Sequence, residues 1–292
     1  PSCSLATYEA NPAVKLNEAF LEKVGSKENS AGRSHSAIIS SGLMRTSQAL
    51  RHQPRPFLTA RWRDLIMVNY RVDPDLLQPR VPRGTSLDLW AGDALISLVA
   101  FKRLDTRVMG FNLPGYRNFE EVNLRFYVRR DSDGDQKRGV VFIREWVPKR
   151  MISWVANTVY NEHYATIPMR HSGRYASDRT DRISYEFKVC GKWNSVAVQT
   201  TGAATIPQED SQLSFIAEHY WGYSQQRDGS TMENQVEHPP WEVETLIASD
   251  LQCDATSVYG SLWGEVFAQG PISSFLAVGS DISVQRGRKL QD

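Results

Sequence analysis

Cysteine is scarce in this sequence: Cys3, Cys190 and Cys253 are the only three in 292 residues. They lie far apart, are odd in number and show no CxxC spacing. That argues against a disulfide framework or a structural zinc site and favours a reducing, cytoplasmic setting. Net charge is almost absent as well. Lys and Arg total 34 against 33 Asp and Glu, leaving a formal +1. Nucleic acid and anionic membrane surfaces are therefore not expected partners, since both need concentrated positive charge. No apolar run approaches the roughly 20 residues of a membrane span. The N-terminal stretch lacks the basic-then-apolar order of a secretory signal. A GxSxG elbow, a P-loop and a Rossmann glycine pattern are all missing, and no organic cofactor is expected. Helical patterns are too few to supply crossovers between parallel strands, which excludes a doubly wound α/β fold.

What remains is ordinary globular material, 41% hydrophobic and 23% charged. Its texture changes near residue 54. Residues 1–53 read as a leader. Asn11-Pro12 opens a short amphipathic helix carrying Val14, Phe20, Leu21 and Val24, Gly25 stops it, and a Ser-, Gly- and Arg-rich linker follows. Residues 54–292 read as one β-rich domain, and the sequence leaves self-association into a homo-oligomer open. Strand-like runs come in quick succession at 94–102, 121–129, 140–146, 182–189 and 193–200. Ser132-Asp133-Gly134-Asp135 and Cys190-Gly191-Lys192 carry hairpin chemistry, and Asp228-Gly229 separates the runs 220–225 and 231–236. Three helical patterns stand among them: a short one opened by Asp73-Pro74, one carrying Met151, Trp154, Val155, Thr158 and Val159, and one around 209–219 carrying Gln212, Phe215, Ile216 and His219.

The stretch NFEEVNLRFYVRR, residues 118–130, alternates with period two. Val122, Leu124, Phe126 and Val128 share one face of an extended chain; Glu121, Asn123, Arg125, Tyr127 and Arg129 share the other. If the second face meets water, its charges only solubilise. If it lines a hollow in a curved sheet, Glu121, Asn123 and Arg125 form a polar row that burial obliges to find partners.

Several motifs in fixed order decide which reading to pursue. The segment from Arg55 to Phe101, RPFLTARWRDLIMVNYRVDPDLLQPRVPRGTSLDLWAGDALISLVAF, resembles the opening of the YqjF-like family, DUF2071. The resemblance continues through NFEEVNLRFYV, GVVFIREWVP, VYNEHYATIPM, FIAEHYWGY and VEHPPWEV and covers residues 54–290. It implies the acetoacetate-decarboxylase-like fold: a mainly antiparallel, barrel-like sheet around a central pocket, with a few helices outside. In such relatives a strand of this kind sends a glutamate into the pocket, and Glu121 is similar to it. Arg125 then becomes a candidate partner for Glu121 or a clamp for a ligand carboxylate. The decarboxylases work through a Schiff-base lysine activated by a second lysine. Tyr164 occupies the similar position here, and no Lys-Lys pair occurs anywhere in the chain. A phenol forms no imine.

The resemblance thus implies a pocket for a small organic acid or ketone. Glu121 and Tyr164 are its candidate acid/base and oxyanion-binding groups, and Arg125, Asn123 and His163 its candidate contacts to the small-molecule ligand. Two functions stay open at this level: an enzyme using acid/base chemistry without an imine, and a non-catalytic protein that binds or senses a small molecule. Metal is not expected. The three Glu-His dipeptides, at 162–163, 218–219 and 237–238, each offer at most one ligand per strand face. Trp154, Trp193, Trp221 and Trp241 read as core filling.

Overall fold

The structure, a computed structural model, describes residues 55–112, 115–132, 134–148, 164–173 and 181–290. The expected leader, the helical pattern at 151–159 and His163 lie outside the described residues, as does the side chain of Tyr164.

Strands dominate. In the first half they are β1 (Leu58–Val72), β2 (Ser86–Leu87), β3 (Ala94–Val108), β4 (Phe111–Asn112), β5 (Phe119–Ser132), β6 (Asp135–Val147), β7 (Tyr164–Thr166) and β8 (Met169–Ser172). The second half supplies β9 (Asp181–Val189), β10 (Lys192–Thr205), β11 (Trp221–Gln225), β12 (Thr231–Glu237), β13 (Val243–Gln252), β14 (Ser273–Ala277), β15 (Asp281–Val284) and β16 (Arg288–Lys289). Among the described residues four short α-helices accompany them: α1 (Pro74–Leu77), α2 (Gln212–Ala217), α3 (Ala255–Tyr259) and α4 (Ser261–Ala268). The expected hairpins form where the turn residues stand: Ser132 pairs with Asp135, and Val189 pairs with Lys192 around Cys190-Gly191. Those two turn residues have φ of 50° and 80°, the left-handed geometry that matches strand twist. Asp73 caps α1 by accepting from the Asp75 amide. Helices α3 and α4 were not expected from the sequence. Each is short, although Ala255, Val258, Tyr259, Leu262, Trp263, Val266 and Phe267 recur at helical spacing and pack into the first core.

The described strands form one large sheet. Its order runs β3-β5-β6-β11-β12-β15-β1, and β1 then pairs with β3, so these seven strands close on themselves. The sheet is barrel-like rather than a strict barrel, because β14-β13-β10-β9-β8 leaves from β1 as a branch. Two cores result. Ile66, Leu124, Phe126, Tyr185, Phe187 and Trp263 belong to one, which spans β1, β5, the branch and α4. Leu65, Met67, Val99, Phe101, Phe215 and Trp241 belong to the other. Trp193 corrects the expectation of a core role: it is 43% exposed, with the Arg170 guanidinium 4.3 Å from its ring centre.

Bulges steer side chains toward the second core. Asp64, at φ 58°, and Asp105, at φ 50°, take left-handed conformations that non-glycine residues rarely adopt. The β1–β3 register slips near each of them. A third slip falls between Leu124 and Arg125 in the β5–β6 pair. Each inserted residue flips the later side chains to the opposite face.

Candidate functional site

All seven strands of the closed order contribute to the lining of a cavity of about 190 Å³. Trp62 and Leu65 come from β1, Val99, Phe101 and Arg103 from β3, and Glu121, Asn123 and Arg125 from β5. Val140, Phe142 and Glu145 come from β6, Trp221 from β11, Asn234 from β12 and Val284 from β15. His219 and Trp241 complete it from the loops after α2 and β12. The alternation of residues 118–130 is thereby resolved: Val122, Leu124, Phe126 and Val128 enter the first core, and Glu121, Asn123 and Arg125 face the cavity.

The polar row is buried, with Glu121 at 1%, Asn123 at 2% and Arg125 at 7% exposure. Glu121 takes its ionic partner from the neighbouring strand rather than from its own. Arg103 Nη2 donates to Glu121 Oε2 at 2.7 Å, and Asn123 Nδ2 donates to Oε1 at 3.2 Å. The Arg103 guanidinium also lies 5.7 Å from the Trp62 ring, 5.9 Å from Phe101 and 5.6 Å from Phe119. Its charge is thus neutralised and its faces are covered. Because a carboxylate can only accept, the Asn123 amide is oriented, and its Oδ1 is left buried without a partner. Arg125 is different. Among the described residues no carboxylate comes within salt-bridge distance of it. Its contacts are the Met67 sulfur at 4.0 Å and the Tyr127 ring at 5.7 Å, and its Nε has no partner. Folded proteins rarely leave a buried cation uncompensated, because removing it from water costs several kcal/mol.

Beside Arg125 stands a second polar group that the sequence reading did not place in the site. Helix α2, capped by Ser211, ends at Ala217, so His219 leaves the helical stripe and turns to the cavity. Its Nε2 donates to Asp88 Oδ2 at 3.3 Å, and Arg138 Nε donates to the same oxygen at 2.7 Å. The imidazole packs 4.6 Å from the Tyr127 ring, and its Nδ1 is buried without a partner. Burial pushes the His219 pKa down to about 4, with the Arg138 and Arg125 charges adding to the fall and the Asp88 hydrogen bond opposing it. Burial works against Asp88, yet its hydrogen bonds from His219 and Arg138 hold it below the usual carboxylate value. The ring is therefore neutral at pH 7 and carries its proton on Nε2.

That depression has a measurable consequence. An unfolded histidine titrates near 6.5. As pH falls from there toward 4, the unfolded chain binds a proton that folded His219 refuses, so stability falls over this window. Denaturant titrations at pH 7 and pH 4.5 should show a loss from this group on the order of 2–3 kcal/mol, and His219→Gln should remove that share. His238, also lowered by burial, accounts for part of what remains. A variant with the same pH slope as the parent chain would contradict the account.

The structure brings Glu121, Asn123 and Arg125 together. The backbone of Tyr164 pairs in parallel with Glu145 of β6, the residue opposite Asn123 on β5, so β7 runs beside the cavity wall. Glu145 itself lines the cavity and is fully buried. Sequence reasoning missed Glu145, Arg103 and His219. No lysine lines the cavity among the described residues.

Comparison with known proteins agrees with this architecture. Over 200 residues, 68% of this chain and 80% of the relative, the sequence is 26% identical to the uncharacterized protein YqjF of Bacillus subtilis. The enduracididine biosynthesis enzyme MppR, in a structure complexed with pyruvate, superposes with a TM-score of 0.57 at 14% identity, covering 88% of this chain and 99% of that one. Acetoacetate decarboxylase from Legionella pneumophila superposes with a TM-score of 0.55 at 12% identity, covering 87% and 99%. Identities this low speak for the fold alone, an acetoacetate-decarboxylase-like one. The family profile reaches further, because it matches residues 59–272, from the first strand of the closed order to the threshold of β14, and on that match the chain belongs to the DUF2071 family of uncharacterized conserved proteins.

Proposed function

We propose that the cavity binds a small organic anion and that Arg125 receives its carboxylate. The observation that carries this reading is the buried guanidinium with no ionic partner among the described residues. A carboxylate supplies the missing charge and matches the planar fork of donors. Asn123 Oδ1 would accept from a hydroxyl or amine on the same ligand. Glu121, bound by Arg103 and Asn123, orients both, and in a catalytic version it exchanges the proton. Pyruvate, the ligand named for the MppR structure, is a 2-oxo carboxylate, which supports the class. Among the described residues no lysine lines the cavity, and in this reading the ligand is held by hydrogen bonds and charge.

Arg125→Met tests it. A ligand at 100 times its Kd stabilises the parent protein by about 2.7 kcal/mol, visible as a rise in Tm, and the variant should lose that rise. Without ligand the variant should be as stable as the parent or more so, because methionine replaces an uncompensated charge. A variant that responds to carboxylates like the parent, or a parent that responds to none, would sink the reading.

A further inference from the structure

We infer that the anion this cavity selects is a carboxylate bearing one aromatic ring; this rests on the reading of Arg125 given above and narrows its ligand class. The walls divide the cavity by chemistry. Trp62, Phe101 and Trp241 form an aromatic corner, with Trp62 tilted against Phe101 at 5.4 Å and edge-on to Trp241 at 6.0 Å. Tilted and edge-on rings like these accept a further ring in the same geometry. Arg103 lies over Trp62 and Phe101, but Glu121 has already taken its charge, so this corner offers a ligand no free cation. The uncompensated cation lies elsewhere on β5. Arg125 is four residues from Glu121, which at about 3.3 Å per residue places their Cα atoms roughly 13 Å apart. Long side chains at both positions reach into the intervening space, which a single ring and its acid group can span.

Volume points the same way. An apolar cavity of roughly 150 Å³ takes up benzene, and this one measures about 190 Å³. One ring and a carboxylate fill it. A three-carbon oxo acid would engage Arg125 but leave the aromatic corner without contacts, and such voids forfeit dispersion energy along their whole lining.

Calorimetric titration of the full chain with four probes decides the matter: 3-phenylpropionate, propionate, hexanoate and 3-phenyl-1-propanol. The inference expects 3-phenylpropionate to bind at least tenfold more tightly than each of the others. If hexanoate equals 3-phenylpropionate, the cavity selects apolar bulk rather than a ring, and the inference falls while the anion reading stands. If 3-phenyl-1-propanol equals 3-phenylpropionate, the carboxylate has no role and the anion reading falls with it. Binding of propionate as tight as that of 3-phenylpropionate leaves the aromatic corner no part in recognition and overturns the inference alone. The comparison needs no variant, so misfolding cannot blur it. Trp241→Leu, where it folds, should reduce the preference for the ring over hexanoate.

Discussion

Glu233→Gln is expected to cost the fold about 3–5 kcal/mol. The Glu233 side chain is fully buried, and four groups converge on it. Arg130 Nη1 donates to Oε2 at 3.2 Å, Lys137 Nζ to Oε1 at 3.4 Å, Arg288 to Oε1 through Nη2 at 2.7 Å, and the Tyr223 hydroxyl to Oε2 at 3.3 Å. Burial alone would raise the carboxyl pKa, but the Arg288 hydrogen bond and the three cationic charges hold it below the ordinary value. Its negative charge therefore gathers cationic side chains from β5, β6 and β16 around β12. Glutamine keeps the shape and removes the charge. Arg130 and Lys137 are only 20% and 17% exposed and would be left facing an amide. Arg288 is largely in water, so Arg288→Ala should cost no more than about 1 kcal/mol. Urea unfolding of both variants at pH 7 measures the contrast. Equal losses would mean that the carboxylate serves as a surface ion pair and not as a buried hub.

Trp241→Ala should lose about 3–5 kcal/mol as well, roughly 10 °C in Tm for a chain of this size. Trp241 is 2% exposed. Its ring stacks on His238 at 4.3 Å, meets Trp62 edge-on, and its Nε1 donates to Ser280 Oγ at 2.9 Å. Alanine would remove the stack, widen the cavity and strand the serine hydroxyl. Trp241→Phe keeps most of the packing and gives up the hydrogen bond, a loss near 1 kcal/mol. A differential scanning calorimetry series of the parent, Phe and Ala forms should step down in that order. An alanine variant within 1 kcal/mol of the parent would show that the loop after β12 does not seal the cavity.

The strand content and the polar row were legible in the sequence because they depend on short-range rules. Residues 118–130 alternate without a break, and the Asp-Gly and Cys-Gly turns sit at their hairpins. Alternation could group Glu121 with Asn123 and Arg125, but choosing the inward face required the resemblance. The missed residues have separate physical causes, and a bulge accounts for Glu145. Phe142 and Glu145 both line the cavity although they stand three positions apart, a spacing that plain alternation sends to opposite faces. The β5–β6 slip between them restores the common face. The same holds for Trp62 and Leu65 around Asp64, and for Arg103 and Thr106 around Asp105. No glycine marks two of these bulges in the sequence, because Asp64 and Asp105 adopt the left-handed turn themselves. Arg103 was missed as the partner of Glu121 because the β3–β5 register, with Phe101 opposite Glu121, is a long-range fact. His219 escaped because the helical pattern ran two residues past the end of α2.

The pairing of β1 with β14 and β15 bears on how the molecule comes into being. Asn69 bonds to Ser273 across 204 residues of chain, and Leu58–Arg61, paired on one edge with β3, finds its partner for the other edge in β15. During synthesis β1 must wait, one edge bare, until β14 and β15 have left the ribosome. Contacts this distant in sequence make for slow maturation, in the range of milliseconds to seconds or longer, and a waiting edge invites association with other nascent chains. Yield in cells should therefore respond to growth temperature and chaperone supply more than the finished protein's own stability would suggest.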